Sequence, residues 1–318
     1  MSYGQDTQFT QFYSAPLYLA PSFAGGTKGT RAVLNYRTQW PNISHGYRTF
    51  SFSIDHYFPQ HKSGVGLLVY RDVAGISRLS NLNIGLQYSY NIRLSREWYV
   101  RPALQFMRHK RSVDVTNLLF GDQISLYGIS PSSVEARNIQ EKISYFDFAT
   151  SIITFSEKYW FGIVIDHLTK PDQSLMNNIS IVPIKTSFLG GTKFALNDAT
   201  GKWNKETATI TYLYKSQGRY DQLDIGAYWS KLPLSIGLWY RGIPMFKRYA
   251  PGYINNDAIS IIVGYVNDEL RIGYSYDFTI SRLSSNTGGA HELAIIFEFN
   301  QDQKPKRKRS FIIPCPKF

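Results

Sequence analysis

The 318-residue chain is expected to be all-β: a closed antiparallel transmembrane β-barrel of about 14 strands. Three observations lead there. The first is two-residue alternation. In "LRIGYSYDFTI", Leu270, Ile272, Tyr274, Tyr276, Phe278 and Ile280 share one face, and Arg271, Gly273, Ser275, Asp277 and Thr279 share the other. That is the pattern of a strand with one apolar and one polar side. The second is composition. Phe, Trp and Tyr supply 15% of the residues and charged side chains only 18%, below the roughly 25% charge of soluble domains. No apolar run approaches the about 20 residues of a membrane helix. The third is that the connections sort by strand parity, short at one end and long at the other, as in barrels of the outer-membrane type. A soluble sandwich has no reason to sort its loops in this way.

The same alternation recurs along the chain. "TRAVLNYRTQW" sets Ala32, Leu34, Tyr36 and Trp40 against Arg31, Asn35, Arg37 and Gln39; "NLNIGLQYSYNI" and "LPLSIGLWYRG" repeat it. The expected strands are 30–40, 47–58, 64–71, 79–92, 97–108, 142–155, 159–168, 184–196, 206–215, 221–230, 232–241, 257–267, 269–280 and 290–299. Thr150 and Thr154 interrupt the apolar face of 142–155. "PQHKS", "RLSRE", "SEK", "NDATGKWNK", a single Lys231 and "ND" follow the even strands. "PNISHG", "DVAGISR", residues 109–141, "TKPDQSLMNNISIVP", "SQGRY", "GIPMFKRYAPGYINN" and "SRLSSNTGG" follow the odd ones. Aromatics near strand ends, among them Trp40, Phe58, Trp98, Tyr159, Trp160, Trp229 and Tyr240, suit interfacial girdles. Closure leaves no unpaired backbone edge in hydrocarbon, where each unsatisfied group costs several kcal/mol.

Two segments fall outside the expected barrel of residues 29–300. Residues 1–28 include "FYSAPLYLAPSFAGG", too rich in proline for a long helix and too apolar to stay fully solvated, so they are expected to plug the lumen or dock at a rim through Phe9, Tyr13, Leu17 and Pro21. Residues 301–318 carry six cations against Asp302, a net +5 of the chain's +12. This tail is expected to lie in the periplasm and to offer Lys306, Arg307, Arg309, Pro314 and Phe318 to a protein partner, by electrostatic steering and apolar anchoring. A solvated tail without a partner is the plainer reading. Cys315 is the only cysteine, so no internal disulfide and no cysteine-based metal site arises. The start at "MSYGQDTQF" lacks a charged and apolar leader; with a membrane barrel, the simplest expectation is that a signal peptide has been removed.

Catalytic patterns are lacking. His291-Glu292 and Asp166-His167 are sequence neighbours, and neighbours on a strand face opposite ways, so neither pair is expected to share a site. No HExxH, G-x-S-x-G or phosphate-binding loop occurs, and no enzyme activity, cofactor or metal is expected. "MFKRY" at 245–249 interleaves cations and aromatics as a single-stranded nucleic-acid surface does, but one such patch implies no nucleic-acid partner. Arg31, Arg37, Arg101 and Arg271 are expected to face the lumen, where an open channel would favour anions. That makes a diffusion channel or solute transporter the alternative function. A soluble lectin or hydrolase is a third reading.

"QDTQFTQFYSAPLYLAPSFAG", "FGDQ", "YWFGIVIDHLTKPDQS", "GLWYRG", "GGAHELAI" and "IPCPKF" together resemble the PorP/SprF family of type IX secretion and gliding proteins of Bacteroidetes, from Gln5 to Phe318. The resemblance implies an outer-membrane barrel, surrounded by outer-membrane lipid, that assists export or anchoring of particular secreted cargo, notably adhesins with a C-terminal signal domain. It also implies contacts with periplasmic lipoprotein or ring components, no enzymatic role, and a mature chain starting near Gln5.

Overall fold

In a computed structural model, the described residues are 6–27, 29–43, 46–116, 118–125, 128–176, 178–197, 203–243, 255–281, 287–299 and 313–316. The alternating segments form fourteen long strands: β1 (Thr30–Gln39), β2 (Tyr47–Phe58), β3 (Ser63–Ala74), β4 (Leu79–Tyr90), β5 (Tyr99–Ser112), β6 (Lys142–Phe155), β7 (Tyr159–Asp166), β8 (Lys185–Ala195), β9 (Glu206–Gln217), β10 (Tyr220–Lys231), β11 (Leu234–Gly242), β12 (Asn256–Val266), β13 (Leu270–Thr279) and β14 (Ala290–Phe299). Each pairs antiparallel with its sequence neighbours. The ladder from Thr30↔Phe299 to Gln39↔Ala290 joins β1 to β14 and closes the sheet. The chain is therefore a closed fourteen-strand antiparallel barrel.

Alternation decides what faces outward. Leu86, Leu104 and Leu238 stand 58%, 64% and 57% exposed on the outer wall, whereas Asp55, Asp277 and Ser275 are almost wholly buried inside. An apolar exterior around buried charged and polar side chains inverts a soluble protein and matches a wall in contact with hydrocarbon. Among the described residues no helix is long and apolar enough to cross a membrane.

Two connections differ from the expectation. β3 runs on to Ala74, so that only Gly75–Arg78 joins it to β4, and β9 and β10 meet at Gly218-Arg219; two of the odd-strand connections are therefore tight. Each extension begins with a polar pair, Asp72↔Asn81 and Ser216↔Asp221. Above the hydrocarbon level a ladder can continue without an apolar face, and periodicity in hydrophobicity no longer marks it. The connections at 112–142, 166–185 and 242–256 are long. That end is called the long-loop mouth here, and the opposite one the turn mouth.

Residues 6–27 lie inside the barrel. Three single-turn helical pieces, Phe12–Ser14, Pro16–Leu19 and Pro21–Phe23, carry them down the lumen, two of them opened by a proline at the first turn, where its missing N–H is not needed. At the turn mouth the chain passes so close to β3 that a side chain on Gly64 would sit 2.3 Å from the Ala24 carbonyl oxygen. Gly25 takes a positive φ of 63° there, which glycine adopts without strain.

Candidate functional site

The contact between this N-terminal segment and the lumen wall is the candidate site, and it can be followed from one mouth to the other. At the long-loop mouth, Asp6 Oδ2 lies 2.6 Å from Lys185 Nζ and 3.0 Å from His167 Nε2. Lys185 also reaches Asp166 at 3.1 Å, and His167 Nδ1 meets Asp147 at 2.5 Å. Asp166 and His167 thus belong to one charge cluster, against the expectation from strand alternation. The reason is local: β7 ends at Asp166, and His167 turns to φ 60°, so its side chain swings back to the lumen. Burial pushes the His167 imidazole down, but Asp6 and Asp147 outweigh it and lift its pKa to about 10. Burial likewise pushes the Asp6 carboxyl up, and Lys185 with His167 overcomes this and holds it well below its ordinary value. On either side of Asp6–Gln8 lie cavities of about 420 Å³ and 470 Å³.

One level down, Thr10 is enclosed by charges from four strands. Its N–H donates to Glu292 Oε2 at 2.7 Å and its hydroxyl to Asp277 Oδ2 at 2.6 Å. The Thr10 hydroxyl accepts from Arg37 at 2.7 Å and from Arg241 at 3.2 Å. Arg37 pairs with Asp277 and Glu292, and Arg241 with Asp224 at 2.9 Å. Gln11 follows, wholly buried, its amide donating to the Glu292 carbonyl at 2.9 Å. Removing one member of such a buried set leaves an unbalanced charge, typically at a cost of about 3–5 kcal/mol.

The middle of the lumen is apolar. Phe12 packs edge-on against Trp239 at 4.7 Å between ring centres. Trp160 faces the lumen and not the outer girdle, because strand alternation turns Tyr159 and Phe161 outward; its Nε1 donates to the Tyr13 hydroxyl at 3.0 Å, which also meets Thr211 at 2.6 Å. Leu17 is fully buried, and its carbonyl accepts from Gln87 at 2.7 Å. Phe9 and Pro21 are buried as well.

At the turn mouth, Arg31 pairs with Asp55 at 2.9 Å and donates to the Phe23 carbonyl at 3.0 Å, while Asp55 accepts from Gly25 N–H at 2.8 Å. Arg271 pairs with Glu298 at 2.6 Å. Arg101 is buried, its guanidinium 5.4 Å from the Phe155 ring centre. All four arginines named from the sequence face the lumen. Three of them are neutralised by a lumen carboxylate, so they do not form the anion-selective lining that an open channel would need. Ile313, 2% exposed, and half-buried Pro314 and Cys315 return to this mouth, and Ile313 and Cys315 border a small pocket with Tyr13 and Phe23. Lys306, Arg307, Arg309 and Phe318 lie outside the described residues, as does 245–249.

The segments singled out in the sequence converge on this contact. "YWFGIVIDHLTKPDQS" supplies Trp160, Asp166 and His167; "GLWYRG" supplies Trp239 and Arg241; "GGAHELAI" supplies Glu292. "FGDQ" acts elsewhere. Asp122 accepts from Ser133 Oγ at 2.7 Å and Val134 N–H at 2.6 Å, bracing the one-turn helix Val134–Arg137 within the longest loop. Sequence reasoning passed over Asp6, Thr10, Lys185, Asp224 and Arg241. A lumen-facing charge opposite another across the barrel leaves no local signal. The hint available was the surplus of charges on the polar faces of β1, β10, β11, β13 and β14.

Residues 1–297 match the family described as type IX secretion system membrane protein PorP/SprF. The chain belongs to the PorP/SprF family. No match was found among curated proteins. Among solved structures, the Acinetobacter baumannii outer membrane protein Omp33 is similar at 8% identity, covering 86% of this chain and 100% of that one, with a TM-score of 0.47. CdiB from Acinetobacter baumannii is similar at 7% identity over 86% of this chain and 60% of its own, with a TM-score of 0.45. Membership in PorP/SprF connects the chain with secretion machinery and its cargo in general terms.

Proposed function

We propose that this PorP/SprF protein is an outer-membrane accessory barrel that works through its two rims. The long loops bind or anchor a specific secreted cargo, such as the C-terminal domain of an adhesin, and the turn mouth with the basic tail contacts periplasmic lipoprotein or ring components. The observation that carries this reading is the lumen filled by residues 6–27, latched by charge at both mouths. A barrel occupied by its own chain has its rims left as working surfaces. The same observation weighs against a diffusion channel or solute transporter. In the tail, Lys306, Arg307, Arg309 and Phe318 are the proposed partner contacts. Pro314, with its neighbours seated in the mouth, would anchor the tail's end. Truncation after residue 300 tests this. The barrel should remain folded in mild detergent and lose periplasmic partners on co-purification, while cargo bound at the long loops is retained. Unchanged recovery of periplasmic proteins would remove the tail from this role.

A further inference from the structure

Neither the plug nor the lumen uses a group of cations on the outer wall. Arg48, Arg71, Arg108 and Lys110 point outward, are exposed, and lie toward the long-loop ends of β2, β3 and β5. The ladder brings them together. Arg71 pairs with Leu82, which pairs in turn with Lys110. Arg48 is opposite Val73, two residues from Arg71, and Arg108 is opposite Ile84, two residues from Lys110. With strands about 4.8 Å apart and same-face residues about 7 Å apart, the four fall within a patch of roughly 15–20 Å.

Their setting is that of a headgroup, not of open water. Toward the barrel's waist the same wall is apolar, with Ile84, Leu86, Leu104 and Phe106 exposed. Arg71 Nε donates to Ser80 Oγ at 3.0 Å, and the Arg108 guanidinium lies 5.8 Å from the Phe146 ring centre, so both are held against the wall. None of the four forms an ion pair with a carboxylate among the described residues. Four uncompensated cations bordering a hydrocarbon belt match a phosphate-bearing lipid, because guanidinium forks bind phosphate oxygens bidentately and each cation near a membrane surface adds attraction.

We propose that this patch binds the phosphates of a lipid A-type glycolipid in the outer leaflet, orienting the barrel with β2–β5 against that lipid. The proposal rests on the outer-membrane reading and is independent of cargo or tail partners. The test uses the full chain in mild detergent, its folding verified by heat-modifiable migration, with retained lipid counted by native mass spectrometry. Bisphosphorylated lipid A should be retained by the unaltered protein and about tenfold or more less by R71Q/R108Q/K110Q. Single K110Q, at an exposed position, should show a smaller loss, and D221N in β10, away from the patch and bordering the lumen cavity, none. Dephosphorylated lipid A should bind the unaltered protein no better than the triple variant. Equal retention by the unaltered protein and both K110Q-containing variants would overturn the proposal. So would retention of dephosphorylated lipid A, or of phosphatidylglycerol, as strong as that of lipid A.

Discussion

His167 and Asp6 make the upper latch of the plug sensitive to pH, and the sign of each follows from its partner. The His167 pKa stands at about 10 in the folded protein against an ordinary 6.5, so its contribution is complete below about pH 6.5 and is lost as pH climbs through about 10. Asp6 is held below its ordinary 3.8, so its contribution is present above that value and is lost as pH falls through the lower folded one. Residues 6–10 are therefore held most firmly between about pH 4 and pH 6.5. Amide hydrogen exchange there, corrected for intrinsic rates, should be slowest in that window and quicken toward pH 10. Asp6→Asn should move the alkaline midpoint downward, since His167 would keep only Asp147. An alkaline midpoint unchanged by Asp6→Asn would show that the ion cluster does not set the latch. Alternation could not reveal this cluster, because one residue past a strand end the rule no longer fixes where a side chain points.

The plug and the strands illustrate how differently two kinds of segment are encoded. All fourteen strands start within two residues of where alternation puts them, because lipid on one face and an enclosed lumen on the other impose a period that survives in the residues themselves. β3, β5 and β9 run past their expected ends at the long-loop mouth, where the wall rises above hydrocarbon and that pressure ceases. The N-terminal segment carries no period. Its prolines and aromatics said that it must be buried, and only the lumen wall says where: Trp160 under Tyr13, Trp239 under Phe12, Gly64 under Ala24. Deleting residues 6–27 should accordingly leave a membrane-embedded barrel that conducts in planar bilayers, whereas the full chain should not. The opened pore should discriminate weakly between anions and cations, because Arg31, Arg37, Arg241 and Arg271 each keep a lumen carboxylate. It should also unfold at lower temperature, with the aromatic surface of Trp160 and Trp239 newly wetted. Equal conductance with and without the segment would mean that residues 6–27 do not occlude the lumen.

An even number of strands puts both barrel ends at one mouth, yet the two termini then part company. The N-terminal segment climbs from the turn mouth through the lumen, so that Asp6 stands at the long-loop mouth, while Ile313–Pro316 fold back into the turn mouth they left. Local sequence features gave the parity but not this return, since a lone apolar "IIPCP" after a basic run fits a projecting anchor as well as a seated one. The arrangement can be tested with the chain's single thiol. If the turn mouth faces the periplasm, a membrane-impermeant maleimide should leave Cys315 unmodified in intact cells. Ile179→Cys, made in a Cys315→Ser background at an exposed position in the 166–185 connection, should be labelled under the same conditions. After the outer membrane is permeabilised, Cys315 should react, more slowly than in denaturant because it is half-buried beside Tyr13 and Phe23. Labelling of Cys315 but not of the Ile179→Cys variant in intact cells would invert the barrel, and with it the sides assigned to cargo and machinery. Equal rates for Cys315 in permeabilised and denatured samples would instead leave the orientation standing and unseat the C-terminal segment from the mouth, freeing the whole tail for a periplasmic partner.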